Sequence, residues 1–123
     1  MYLVVTRTFP PEVGGMQSLM WGLARSLSKL NLTKVFADYN DGYEEFDKNV
    51  SFSIERVSGV KILRKYRKSY LINEYLTQNP KVQCIIADHW KSLELIKTKK
   101  KKICLIHSKE INHKKGSRLN NKV

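Results

Sequence analysis

A short apolar strand that runs directly into a proline- and glycine-rich loop and then a helix constrains this fold most. Residues 2–6, Tyr-Leu-Val-Val-Thr, are apolar and β-branched, which is typical of a strand buried on both faces in a parallel sheet. Loop 7–15 contains two prolines and two glycines, and from Met16 apolar residues recur at helical spacing. We expect Gly22 either to weaken this helix or to mark close packing. The predicted inward stripe comprises Met16, Leu19, Met20, Leu23, Leu27 and Leu30.

The rest of the chain continues to alternate strands with helices. Strands are predicted over residues 33–37, 50–57, 82–87 and 103–106, and residues 38–49 are predicted to be a loop. Helices are predicted over 61–78 and 90–97, with Asp88 as N-cap of the latter. This order implies right-handed βαβ units, so the predicted fold class is α/β, a Rossmann-like parallel sheet with helices on both faces. With 123 residues the chain suffices for one domain, expected over 1–113, followed by a polar basic tail over 114–123.

Positive charge is concentrated in the second half of the chain. The net charge is +12, and residues 56–123 contain 18 of the 23 Lys and Arg residues but four of the 11 Asp and Glu residues. This asymmetry indicates contact with an anion: nucleic acid, a lipid surface or phosphorylated small molecules.

The predicted helix 61–78 carries much of that charge. We expect one apolar side and one basic side, so two interpretations stay open. The basic side is either the solvated outside of a helix whose apolar stripe is buried, or a surface for an anionic membrane. The apolar side comprises Ile62, Leu63, Tyr66, Tyr70 and Tyr75, and the basic side comprises Lys61, Arg64, Lys65 and Lys68.

Three loops follow the carboxyl ends of predicted strands, where parallel sheets bind ligands: residues 7–15, 87–90 and 107–113. In the first, Gly14 and Gly15 let a ligand approach the backbone, and the helix start offers free N–H groups to a phosphate or another anion. The alternative is that the loop only forms a tight connection. His107 and His89 each follow a strand and either contact a sugar or phosphate and transfer protons, or only cap the strand end.

Several classes of site are not expected. The loop matches neither the dinucleotide fingerprint nor the P-loop. His89, His107 and His113 lack compact ligand spacing, so no metal site is predicted, and Cys84 and Cys104 are predicted to be small core residues. No apolar run approaches the roughly 18 residues of a membrane span, and the start lacks the features of a secretory signal. We therefore expect a cytoplasmic protein.

Three segments resemble those of a known enzyme family. Val4-Val-Thr-Arg-Thr-Phe-Pro-Pro-Glu-Val-Gly-Gly-Met-Gln-Ser18 resembles the amino terminus of the family 4 (group 1) glycosyltransferases, retaining enzymes with a Phe-Pro-Pro-x-x-Gly-Gly-like loop between a strand and a helix. Ile85-Ile-Ala-Asp-His-Trp90 is similar to a later strand of that family, and Ile106-His-Ser-Lys-Glu110 to its His-Gly-x-Glu segment. Ser108 stands where the family has glycine.

The resemblance implies the GT-B fold, two Rossmann-like domains that face each other across a cleft. The amino-terminal domain mostly holds the acceptor, and the other holds the nucleotide-sugar donor. The implied reaction is transfer of a hexose to a glycan or lipid-linked acceptor with retained configuration, in cell-surface polysaccharide or glycolipid synthesis and without a bound cofactor or metal. By the resemblance, Gly14, Gly15 and Met16 face the donor phosphate or sugar, and His107 is the catalytic residue that contacts the transferred sugar. The candidate acceptor-side residues are Arg7, Glu12, His89 and Glu110.

The sequence lacks the second domain of that family, with its Glu-x7-Glu segment. We therefore expect an incomplete GT-B fold, an amino-terminal piece that is inactive without a carboxyl-terminal donor domain. The expected partners are that domain, the nucleotide-sugar, the acceptor and an anionic membrane surface. The alternative hypothesis is a non-catalytic basic module, either RNA-binding or a degenerate remnant.

Overall fold

A computed structural model describes residues 1–105 of the chain, and within them a single five-stranded sheet forms the centre of the fold. The elements in chain order are β1 (Tyr2–Thr6), α1 (Gly15–Ser28), β2 (Thr33–Asp38), α2 (Tyr43–Lys48), β3 (Ser53–Val57), α3 (Lys61–Gln78), β4 (Cys84–Ala87), a 3-10 turn (Trp90–Ser92) and β5 (Lys101–Cys104). All paired strands are parallel, in the order β3-β2-β1-β4-β5. The predicted α/β Rossmann-like class is confirmed. The predictions for His107, Glu110, His113 and tail 114–123 lie outside the described residues.

The sheet has a hydrophobic core on each face. On one face, Leu3 and Val5 of β1 pack in a cluster with Ile72 and Leu76 of α3. On the other face, Val4 packs with Met20 and Ala24 of α1. Because successive side chains of a strand point to opposite faces, the apolar run of β1 fills both cores, and the prediction of helices on both faces is confirmed.

The predicted stripe of α1 is only partly right, because Leu19 is 52% exposed and Leu30 is 73% exposed. The helix instead turns Trp21 toward an aromatic cluster formed with Phe9, Phe46 and Phe52. The partners of Trp21 come from distant segments, so the spacing of α1 alone does not reveal its orientation.

Residues 38–49 are not wholly a loop, since they contain the short helix α2. Two glutamates in its first turn, Glu44 and Glu45, suit the positive end of a helix, and Lys48 suits the negative end. The ring of Phe46 packs at 5.1 Å from that of Trp21. These charges at the two ends are visible in the sequence, but a helix of six residues is too short to show a clear apolar period, so it was not predicted.

The bounds of α3 agree with the prediction, but its inward face does not. Ile62, Leu63, Tyr66 and Tyr70 are 58–78% exposed. The buried residues are instead Lys68, Ser69, Ile72 and Leu76. Of the predicted apolar side only Tyr75 is partly buried, with its ring 5.6 Å from Phe36, and burial there raises its pKa. The second half of α3 covers the sheet, whereas the cations of its first half lie near the carboxyl ends of the strands.

The last predicted elements are shorter or shifted. Strand β3 begins at Ser53, strand β4 begins at Cys84, and strand β5 begins inside the lysine run at Lys101. Because β5 is an edge strand of the described sheet, Ile103 is 38% exposed. The prediction of a buried strand is therefore wrong for residues 103–104, and residue 106 lies outside the described residues. Cys84 is buried as predicted, but Cys104 is only half-buried.

The predicted helix 90–97 is reduced to the 3-10 turn, although Ile96 is buried as expected. Asp88 does not cap this turn. The side chain of His89 does so, because its Nδ1 accepts a hydrogen bond from Lys91 N at 3.1 Å. Within residues 1–105 no helix combines the length and the apolar character needed to cross a bilayer.

Candidate functional site at the carboxyl edge of the sheet

The glycine loop connects the carboxyl end of β1 to the start of α1. Gly15 is exposed, and a Cβ placed on it would meet no atom within 4 Å. Gly14 is the N-cap residue in an extended conformation, and no side-chain hydrogen bond caps α1. A helix start leaves its first N–H groups without intrahelical acceptors. The backbone at Gly15 is therefore accessible to a ligand from outside the domain.

A buried arginine holds this loop in place. Arg56, on β3, donates from Nη2 to the carbonyl of Pro10 at 2.6 Å and binds the carboxylate of Asp47 through two hydrogen bonds. Asn40 donates to the carbonyl of Phe9 at 3.1 Å. At the exposed tip, Glu12 accepts a hydrogen bond from Gln17 of α1. The loop is thus fixed by side chains from β3 and the segment after β2.

Asp88 joins the loop after β4 to the loop after β1. Its side chain is 1% exposed and accepts hydrogen bonds from Thr6 Oγ1, from the backbone N of Arg7 and from Ser92 Oγ. The guanidinium Nε of Arg7 lies 3.8 Å from the same carboxylate. A carboxylate with this many internal donors is a structural anchor, and it leaves the Arg7 side chain 52% exposed at the sheet edge.

His89 is buried next to this anchor. Besides the bond from Lys91 N to its Nδ1, its ring stacks on Trp90 with centroids 5.8 Å apart. This nitrogen caps the turn, the role that the sequence analysis had assigned to Asp88.

A cavity of about 240 Å³ lies between the first half of α3 and the carboxyl ends of β1, β2 and β4. We call it the basic cavity. Its lining residues are Arg7, Asp38, Lys61, Ile62, Arg64, Lys65, Lys68, Ser69, Lys91 and Ser92. Of the site residues predicted from the sequence within 1–105, Arg7 alone lines it; Glu12, Gly14, Gly15, Met16 and His89 do not.

Ion pairs position several of the cations around the basic cavity. Lys68 Nζ lies 2.5 Å from Asp38 Oδ1 and donates to the carbonyl of Thr6 at 3.1 Å. Arg64 Nη1 lies 3.3 Å from the other oxygen of Asp38. Lys65 pairs with Glu94. Sequence analysis missed this cavity because it placed the basic residues of α3 on an outer face. The local sequence feature that indicated a polar site here was the acidic Asp38 at the end of β2.

The described residues show no preformed metal centre. Across 1–105, no group of three or more His, Cys, Asp or Glu side chains is arranged to hold a metal ion. Separately, the cations of the basic cavity and the backbone N–H groups at the start of α1 are groups that can bind an anion.

A scan against protein-family models returns no match to this chain, and neither does a search of curated proteins. The resemblance to family 4 glycosyltransferases rests on the three short segments alone. Two of them, 4–18 and 85–90, follow neighbouring strands of the sheet, because β1 pairs with β4. The third, 106–110, lies outside the described residues.

Proposed function

We propose that this chain is the acceptor-side, amino-terminal domain of a retaining GT-B glycosyltransferase. It would act in the transfer of a hexose from a nucleotide-sugar to a glycan or lipid-linked acceptor, in the synthesis of cell-surface polysaccharide or glycolipid. The observation that carries the proposal is the open glycine loop. Gly15 begins α1 after the loop that follows β1, an added Cβ on it would meet no atom within 4 Å, and its helix start can donate to a donor phosphate.

The proposal assigns separate tasks to two domains. Gly14, Gly15 and Met16 would approach the phosphate or sugar of the donor. His107 would contact the transferred sugar, and Glu110 would belong to the acceptor side. A second Rossmann-like domain would hold the rest of the nucleotide-sugar. The charge that develops on the leaving diphosphate would be stabilised by cations and backbone N–H groups, so the proposed enzyme uses no metal cofactor.

The experiment joins this chain to the donor domain of a characterised family 4 glycosyltransferase and measures hydrolysis of nucleotide-sugars, which needs no acceptor. Gly15→Val places a branched side chain where the ligand must approach. Gly22→Val is the matched control, because Gly22 also lies on α1 with no atom within 4 Å of an added Cβ. In both variants valine replaces glycine, which is the poorer helix former, so helix propensity does not explain a loss of activity.

We expect hydrolysis to fall at least tenfold in Gly15→Val and to stay within twofold of wild type in Gly22→Val. An active fusion in which both variants hydrolyse equally fast contradicts the role of the loop. A folded wild-type fusion that hydrolyses none of the nucleotide-sugars contradicts the proposed function itself.

We further propose that the protein works at the cytoplasmic face of a membrane. The α3 apolar face, defined as Ile62, Leu63, Tyr66 and Tyr70, is exposed and adjoins basic residues of the same helix. An exposed apolar face with aromatic rings next to cations suits the boundary of an anionic bilayer.

Vesicle co-sedimentation tests this location. The full chain should bind vesicles of phosphatidylcholine with phosphatidylglycerol more than pure phosphatidylcholine. Ile62→Ser with Leu63→Ser should weaken that binding, whereas Leu30→Ser with Leu32→Ser removes equally exposed apolar residues at the opposite edge and should not. Equal binding to neutral and anionic vesicles would count against a membrane location.

A further inference from the structure

We propose that the basic cavity binds a phosphate monoester. The binding follows from the charges and dimensions of the cavity. The assignment of that phosphate to the acceptor substrate rests on the proposed function. Gly14, Gly15 and Met16 do not line the basic cavity, and of loop 7–15 Arg7 alone does. The cavity is therefore a second anion site, distinct from the one proposed for the donor.

The charge of the cavity is the first support. Six cationic side chains line it: Arg7, Lys61, Arg64, Lys65, Lys68 and Lys91. Three carboxylates pair with members of this set, namely Asp38, Asp88 and Glu94. A surplus of three positive charges remains around one small space. Such a surplus favours a dianion such as a phosphate monoester over a carboxylate or a neutral sugar.

The cations are also held in position before any ligand arrives. Lys68 is fixed by Thr6 and Asp38, and Arg64 donates both to Asp38 and to the carbonyl of Gly59. Because Asp38 neutralises only one of the two cations that it orients, the pair still presents net positive charge. Cations fixed in this way lose little conformational freedom on binding. Arginine adds a planar set of N–H donors that matches phosphate oxygens.

The size of the cavity limits what enters. Its volume of about 240 Å³ lies below the roughly 300–1,000 Å³ of pockets that enclose drug-sized ligands. A phosphate group with a small part of its ester fits, whereas a whole nucleotide-sugar does not. The remainder of the ligand must extend outward, and Ile62 belongs both to the cavity lining and to the exposed α3 apolar face.

Two sources supply the same phosphate chemistry. One is a lipid phosphate whose chain lies along the α3 apolar face, and the other is a soluble phosphate ester. Titration calorimetry of the full chain with glycerol 1-phosphate is the soluble arm. The lipid arm compares binding to two kinds of vesicle of equal charge. One contains phosphatidate, a phosphate monoester, and the other contains phosphatidylglycerol, a phosphate diester.

The variants separate the cavity from general positive charge. Lys61→Gln and Lys91→Gln each remove one lining cation without touching the buried Lys68. Lys81→Gln makes the same change at the opposite, amino edge of the sheet, before β4. Lys61 and Lys91 are exposed, so each contributes at most about 1 kcal/mol, and we expect a three- to fivefold loss of glycerol 1-phosphate affinity per variant and about tenfold for the pair. Lys81→Gln should change the affinity less than twofold.

Saturable binding of glycerol 1-phosphate that follows this pattern supports the cavity. A preference for phosphatidate vesicles that is lost in the Lys61→Gln, Lys91→Gln pair then identifies the lipid source, and its absence identifies the soluble one. If glycerol 1-phosphate shows no saturable binding at millimolar concentration, the proposal is overturned. An equal loss of affinity in the Lys61→Gln and Lys81→Gln variants also overturns it. The assay involves no sugar transfer, so failure here is distinct from failure of the Gly15→Val test.

Discussion

The ammonium of Lys68 is buried against the carboxylate of Asp38, and this contact links α3 to the ends of two strands. The Nζ to Oδ1 distance is 2.5 Å, and the side chains are only 5% and 16% exposed. The same ammonium donates to the carbonyl of Thr6 at the end of β1. Burial of a charge is costly unless it is paired and hydrogen-bonded, and here both conditions are met.

Asp38→Asn should therefore be more damaging than Lys68→Met. The first variant leaves Lys68 buried and charged beside a neutral amide. We expect the free energy of unfolding to fall by about 2–3 kcal/mol, somewhat less than the roughly 3–5 kcal/mol that is typical when one partner of a buried ion pair is removed. In the second, Asp38 keeps Arg64 and the methionine fills the space, so we expect a loss of about 1 kcal/mol. Urea denaturation of both variants measures the difference. The reverse order would show that the pair does not control the stability of this edge.

Arg56→Lys should loosen the glycine loop. Lysine keeps the charge but cannot bind Asp47 through two nitrogens and the carbonyl of Pro10 together, so we expect a loss of about 2 kcal/mol in unfolding free energy. Hydrogen exchange of amides in 12–15 should accelerate more than exchange in β1. Arg67→Lys is the control, because Arg67 is exposed and donates to the carbonyl of Ser58 at the surface. Unchanged exchange in the Arg56 variant would mean that the loop is held by other contacts.

Gly22→Ala should stabilise the protein. Gly22 lies inside α1 with no atom within 4 Å of an added Cβ, so alanine gains helix propensity without a clash, about 0.5–1 kcal/mol. Gly42→Ala is the contrasting variant. Gly42 has φ of 82°, which costs a side-chain-bearing residue about 1–2 kcal/mol. Thermal unfolding should show a higher midpoint for the first variant and a lower one for the second; a lower midpoint for Gly22→Ala would show that close packing requires this glycine.

The strands and the long helices could be predicted because their signals are local. β1 is a continuous apolar run that a doubly covered strand requires, and α3 has the predicted bounds because Asn79-Pro80 ends it. The short helix α2 and the edge position of β5 were missed. Six residues give little periodicity, and the sequence of a strand does not state which neighbours it pairs with.

The candidate site was predictable in part. The glycine loop was found from the sequence because a strand, a Gly-Gly pair and a helix are contiguous. The basic cavity was not found, because its lining comes from the loop after β1, the end of β2, α3 and the turn after β4. Local spacing cannot bring such segments together.

The sequence alone predicted an alternating α/β chain, a parallel sheet and a glycine loop after its first strand. These features were predictable because apolar periodicity and turn residues act over a few neighbouring positions. Only the tertiary structure decided which side of α3 faces the sheet. That helix offers two apolar sets, and it is Ile72 and Leu76 that pack in the core with Leu3 and Val5 of β1. This long-range packing places Lys68, on the same side of the helix, beside the carboxylate of Asp38 and makes the cations of α3 the wall of a cavity.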